Sequence, residues 1–423
     1  MKELTALDAA RLIAQRQLTS ESLTRACLER IEEREPAVKA WEYLDPDLAI
    51  AQARLADRSP IRGPLHGVPL AIKDVIDTVD MPTTYGSRIY RDYRPASDAT
   101  CVALARAGGA VILGKTVTTE FAGGAPGKTR NPHNPRYTPG GSSSGSAAAV
   151  GCAMVPWALG TQTYGSTIRP ASFCGVVGYK PSYGKAEVRG IKTLTSGLDT
   201  LGLFARTVAD VALLASVVTG GRVGEVDVSS APRIGFLNTS PWGEVADATR
   251  HLLDDCVRRL TGGGAQVRDL PSPSSMASWR EIQDVVFGWE MLQALAYERV
   301  FRRNDVEPRT KQMFKEYEQR LTPKNYETGL GHAREARREC ADLFHDCDVL
   351  LVPAAVGEAP EGIDHTGDGR FNGAWSMLHL PCLTLPMGRG AAGLPIGLQL
   401  VARLGNDATL LRAAAFVEAC VVA

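Results

Sequence analysis

Short apolar runs bounded by proline and glycine alternate with amphipathic helical stretches along most of this 423-residue chain. No other feature constrains the fold as much. Strands buried on both faces need helices to cover them, and the alternation implies an α/β sheet sandwiched between helices. PLHGVPLAIKDVID (64–77) and AVILGKT (110–116) read as buried strands, with a helix from Ala99 to Ala107 between them. PRIGFL (232–237) opens a second half, and strands return at DVLLVPAA (348–355), PCLTLPMG (381–388) and LPIGLQLV (394–401), before a last helix from Ala408 to Val417. At the start, Thr5 and Asp8 form a capping-box pair. A second helix is expected from about 20 to 34, ending before Pro36, with Leu23, Cys27 and Ile31 on one face. With no internal repeat and no long linker, one domain spans 1–423. It comprises N-terminal helices (1–60), a core (61–220), a more variable helical region on the substrate side (about 240–345) and C-terminal strands and helix (346–423).

Charge narrows the function. The 47 Lys+Arg balance 47 Asp+Glu, which removes the electrostatic basis for a nucleic-acid or anionic-membrane binder. Nine cysteines without a CxxC pair fit neither a disulfide framework nor a zinc ribbon. The first residues carry Glu3 and Asp8 and lack a signal-peptide apolar core. No apolar run approaches a membrane span. A cytoplasmic protein is expected, in which the Asn238-Thr239-Ser240 sequon carries no glycan.

Three local patterns invite misreading. AGGAPGKT (122–129) approximates a phosphate loop, but Pro132, Pro135 and Pro139 forbid the helix that must follow. GSSSG (141–145) matches a nucleophile elbow with Ser143 as nucleophile, yet no strand run feeds it, and no spacing singles out His345, His365 or His379 as its partner. A flexible linker would not need two glycine turns at fixed separation.

Those turns carry the chemistry. GVPLAIKD places Lys73 at the end of an apolar strand, PGGSSSGSAAAV places Ser142 after two glycines, and GTQTYGSTIRPASFCGVVGYKPS places Ser166 in a second turn 24 residues later. A serine hydroxyl needs a base, and a lysine serves only when burial lowers its pKa from about 10.4 toward about 7 to 8. Together with LERI near the start and LPIGLQLVARLGNDATLLRAA at the end, these motifs resemble the amidase signature family of serine hydrolases. The resemblance covers nearly the whole chain. It implies a central mixed β-sheet with helices on both faces, and a triad of Lys73, Ser142 on a cis peptide bond, and nucleophilic Ser166. It further implies no cofactor and no metal.

The resemblance implies cleavage of a small carboxylic amide through an acyl-enzyme, with backbone N–H groups of Thr163, Tyr164, Gly165 and Ser166 holding the oxyanion. The family's T-D-T-G-G-S-I-R-x-P-A is altered here: Gln162 replaces the acid, Tyr164 replaces a glycine, and Arg169 stands one place later. A different supporting network is therefore expected. Tyr164, Phe371, Trp375 and His379 are candidates for an apolar, aromatic-tolerant substrate wall, set against the alternative that FNGAWSMLHLPC is core packing. Three other functions stay open: a carbamate or ester hydrolase using the same triad, a glutamine-hydrolysing amidotransferase subunit, and a non-catalytic protein of this fold. A small amide is the expected partner, with no nucleic acid and no membrane. The oligomeric state, a homodimer included, is undetermined.

Overall fold

A computed structural model describes residues 4–221, 223 and 231–421; Glu3 lies outside them. The helices and strands follow the chain as α1 (Ala6–Ala14), α2 (Ser20–Val38), β1 (Trp41–Leu44), α3 (Pro46–Arg58), β2 (Pro69–Lys73), α4 (Thr100–Ala107), β3 (Val111–Thr116), α5 (Ser144–Gly151), β4 (Trp157–Gln162), α6 (Ile168–Cys174), β5 (Val177–Lys180), β6 (Thr200–Ala205) and α7 (Val208–Val218). They continue as β7 (Arg233–Leu237), α8 (Asp247–Gly262), β8 (Gln266–Leu270), α9 (Trp279–Ala294), α10 (Ala296–Phe301), α11 (Pro308–Arg320), α12 (Pro323–Asp342), β9 (Val349–Pro353), α13 (Gly373–Met377), β10 (Cys382–Arg389), β11 (Pro395–Ala402) and α14 (Asp407–Val421).

The strands form one sheet in the order β1-β3-β2-β4-β6-β5-β10-β11-β9-β7-β8. It is mixed: β2 runs parallel to β3 and β4, and β7 runs parallel to β8 and β9, while the centre is antiparallel. Neighbouring residues on one strand fall into different hydrophobic clusters. Leu70, Ile72, Trp157, Leu159, Leu203 and Ala205 join one, and Ala71, Ala158 and Phe204 join the other. A strand alternates its side chains with period two, so both faces of the sheet are buried. Helices α5 and α6 cover one face, and α7 and α14 cover the other.

Local sequence explains most of the elements. Thr5 caps α1 by accepting from Asp8 N at 3.0 Å. Asp8 answers with its side chain on the Thr5 hydroxyl (2.9 Å). Leu23, Cys27 and Ile31 form the buried stripe of α2. That helix does not stop before Pro36; it runs through it to Val38. Proline forfeits one backbone bond, and the end is secured by left-handed Lys39, whose N–H donates to Glu35 O. All cysteines are unbridged and all but Cys420 are buried. Among the described residues no helix is long and apolar enough to cross a membrane.

Candidate active site

Lys73 ends β2 with its side chain fully buried, on the same face as Ala71 beneath the small alanines of α5. Its Nζ donates to Ser142 Oγ at 2.8 Å and to Thr161 Oγ1 at 2.7 Å. Burial pushes the Lys73 pKa down to about 7, with the charge of Asp199 pulling partly the other way. Asp199 is buried too, and its own pKa is raised by desolvation. It is held by Thr163 Oγ1 (2.6 Å), Thr195 Oγ1 (2.7 Å) and Leu194 N (2.7 Å).

Ser142 lies just before α5, and the Gly141–Ser142 peptide bond is cis. Gly140 before it has φ +81°, and a Cβ there would meet Pro170 at 2.8 Å. Only glycine suits both the positive φ and the close approach. The next serine is tied differently: Ser143 Oγ donates to Thr161 O (3.1 Å) and accepts from Thr161 N (3.3 Å). Both functions of that hydroxyl are spent on β4. Its backbone N–H reaches Ser166 O at 3.4 Å, which brings the two serine turns together.

Ser166 sits in the turn between β4 and α6. A strand feeding a tight turn into a helix is the context a nucleophile elbow requires. It is absent at Ser143, whose preceding residues form no strand, and present at Ser166. Gln162, standing where the family pattern has an acid, braces this turn. Its Oε1 accepts from Thr167 N (2.9 Å) and Ile168 N (3.1 Å), and its Nε2 donates to Ser376 Oγ (3.2 Å). An amide does both jobs, which a carboxylate cannot do without a donor. Arg169 is buried, with its pKa lowered by desolvation to about 10. It donates to Thr366 O (2.7 Å) and Gly141 O (2.8 Å), clasping the two loops.

Tyr164 is half-buried, its ring lying over Gly369 and Gly373. The other three wall candidates have structural surroundings. Trp375 is fully buried against Trp242 and Trp279, with ring centroids 5.1 and 6.4 Å away. Phe371 is fully buried and its carbonyl accepts from Gln399 Nε2 (3.0 Å). His379 stacks on Tyr183 at 4.2 Å, with Gly197 O and Arg337 Nη2 against its Nε2. Burial, reinforced by Arg337, pushes its pKa down to about 4, so the ring is neutral at pH 7. Lys128 of the phosphate-loop look-alike pairs with Glu42, and no helix follows it. Two surface grooves lie elsewhere, one of about 720 Å³ between α9 and α12 and one of about 330 Å³ lined by Leu237, Leu270 and Pro353; none of Lys73, Ser142 and Ser166 lines either.

Thr161 and Asp199 stand beside Lys73 although the sequence does not single them out, whereas Arg169 is marked there by its displaced position. Thr161 has one signal in the sequence, its place in the run that leads into the Ser166 turn.

The family model described as amidase matches residues 22–411. A glutamyl-tRNA(Gln) amidotransferase subunit from Anaeromyxobacter sp. (strain K) is 34% identical, the match covering 99% of this chain and 96% of the relative. A putative amidase, AmiD, of Mycobacterium tuberculosis (strain ATCC 25618 / H37Rv) is 33% identical over 98% and 93% of the two chains. The crystal structure of native peptide amidase from Stenotrophomonas maltophilia superimposes with a TM-score of 0.86 at 28% identity, covering 100% and 97%.

Proposed function

The chain belongs to the amidase family, and on that premise we propose that it is a serine amidohydrolase cleaving the C–N bond of a small carboxylic amide through an acyl-enzyme on Ser166. The observation that carries this reading is Lys73: a fully buried lysine bonded to two hydroxyls, with a pKa lowered to about 7. Neutral Lys73 accepts the Ser142 hydroxyl proton while Ser142 takes that of Ser166, whose Oγ forms the new bond to the carbonyl carbon. The carbonyl electron pair moves onto oxygen, where backbone N–H groups of Thr163, Tyr164, Gly165 and Ser166 stabilise it; one such donor is worth about 3 to 4 kcal/mol. On collapse the C–N bond breaks, and the leaving amine takes its proton from Ser142, resupplied by Lys73. Water then attacks the Ser166 ester by the same relay in reverse.

The test is mapping of a covalent adduct after treatment with a fluorophosphonate. Labelling at Ser166, lost in Ser166→Ala, is expected; labelling at Ser143 overturns the assignment. Paired turnover of a primary amide and a nitroanilide sharing one acyl group then reads the leaving-group side. An aryl carbamate or ester in the same assay tests the sister chemistries.

A second reading, a glutamine-hydrolysing component of an amidotransferase, is supported by the 34% identity to a protein of that name. Glutamine-specific ammonia release together with a co-purifying partner favours it; broad amide turnover by the isolated chain refutes it.

A further inference from the structure

Ten buried side-chain polar atoms among the described residues have no hydrogen-bond partner, and five of them fall in two short segments that pack together. They are Arg280 Nε, Gln283 Oε1, Gln283 Nε2, Asn372 Oδ1 and Trp375 Nε1. Unpartnered buried polar atoms are individually costly and few in a folded protein. Gln283 on α9 is the extreme case, fully buried with both ends of its amide unmatched. It lies beside the nucleophile turn: a Cβ built on Gly373 would meet Gln283 Oε1 at 2.8 Å and the Tyr164 ring at 2.9 Å. Asn372 Oδ1 borders the same turn, 2.7 Å from where a Cβ on Gly165 would stand. Gly373 thus has both Gln283 and the ring of Tyr164 against it, and Tyr164 is two residues from Ser166 in the chain.

We infer that Gln283 is a specificity-determining residue that reads a second carboxamide-like group on the acyl part of the substrate. This rests on the amidohydrolase reading and sharpens it. A primary amide offers one acceptor and two donors, and the partner that satisfies both ends at once is another amide or ureido group. The acyl pocket is then polar at this end rather than apolar, and the preferred substrate is a compact diamide or ureido amide. A site that buries unpaired polar atoms rejects analogues lacking their partner far more strongly than an apolar pocket rejects a missing methylene.

The experiment compares malonamide, succinamide and glutaramide with propionamide, butyramide and valeramide, each pair differing only by a terminal carboxamide in place of methyl. At one chain length the diamide should exceed its monoamide in kcat/KM by roughly 100-fold. Gln283→Leu and Gln283→Met should cut that ratio at least tenfold, mainly through KM. A ratio near one at every length, or a ratio that both variants leave intact, overturns the inference. A purely structural glutamine would lower both rates together and leave the ratio alone. Calorimetric titration of the best diamide into Ser166→Ala separates this inference from the one it rests on. Binding that disappears in the Ser166→Ala, Gln283→Leu double variant upholds the inference even if the wild type hydrolyses no amide. Absence of binding by Ser166→Ala, with amide turnover by the wild type intact, sinks the inference alone.

Discussion

Two lysines are buried next to each other at the ends of parallel strands, and their surroundings differ in kind. Ile72 pairs with Lys115 and Lys73 with Thr116, so the lysines are one register step apart and point to opposite faces of the sheet. Lys115 donates to Ile76 O (2.6 Å) and Thr83 Oγ1 (2.6 Å) and has the Asp74 carboxylate 3.5 Å away. Asp74 is in turn held by Thr84 through its backbone N–H and its hydroxyl. Burial pushes Lys115 down to about 8 and Asp74 up to about 6, and the charge of each opposes the shift of the other. Both bonds of Lys73 go to hydroxyls, whereas Lys115 has a carbonyl and a carboxylate beside its hydroxyl. Equal burial therefore leaves an amine among hydroxyls in one place and an amine beside a carboxylate in the other, and only the first is suited to act as the proposed base.

The comparison breaks first at the reacting atoms. Ser166→Ala should lower kcat/KM by about 10⁶, the scale of losing a nucleophile that acts in concert with its base. Ser143→Ala, whose hydroxyl is committed to Thr161, should instead lower the melting temperature at nearly wild-type kcat. Next, Lys73→Ala should cost about 10²–10⁴ in kcat/KM with the fold retained by circular dichroism. Lys115→Met leaves Asp74 buried and unpaired, and should cost about 3 to 5 kcal/mol in denaturant unfolding.

The pH profile sharpens the contrast. Because Lys73 must be neutral to accept a proton, kcat/KM should climb as pH rises to about 7 and level off above it. Thr161→Val removes an acceptor of the ammonium's N–H, disfavours the charged form, and should move the inflection to lower pH. A Thr161 that only packs would lower the plateau and leave the inflection in place.

The smallest effect is in stability against pH. Both lysines have folded pKa values below the unfolded value of about 10.4. The unfolded state therefore binds the extra proton between the two values, and stability rises with pH from about 7 for Lys73 and about 8 for Lys115. Lys73→Met should flatten the unfolding free energy between pH 7 and 8 by up to about 1.4 kcal/mol per pH unit. Chemical denaturation at half-unit intervals measures it, and an unchanged slope would place the Lys73 pKa outside that window.

What is legible in the sequence follows from how local each cause is. Runs such as PLAIK and VILGKT declare themselves because they are apolar up to the Lys or Lys-Thr that closes each strand, and those strands carry both lysines. β4 does not, since WALGTQ mixes aromatic, glycine and polar residues; its burial comes from β2 and β6 on either side. The helix stop expected before Pro36 overweights a proline that falls in the last turn. FNGAWSMLHLPC reads equally as substrate wall or core. Trp242 and Trp279, distant in the chain, are what surround Trp375, and no local pattern announces them.

The sequence by itself determined the α/β alternation, the spacing that singles out Lys73, Ser142 and Ser166 as candidates, and the departure at Gln162, because each is a matter of residue type at fixed spacing. Tertiary structure decided which serine is free and which is tied to β4. It also decided that Asp199 and Arg169 support the turn, that Lys73 has, among the described residues, no carboxylate like the one beside Lys115, and that Gln283 and Tyr164, more than a hundred residues apart, both come to lie against Gly373. Desolvation and hydrogen-bond partnership are set by whatever the whole fold packs around a group, and neighbours in the chain supply little of it.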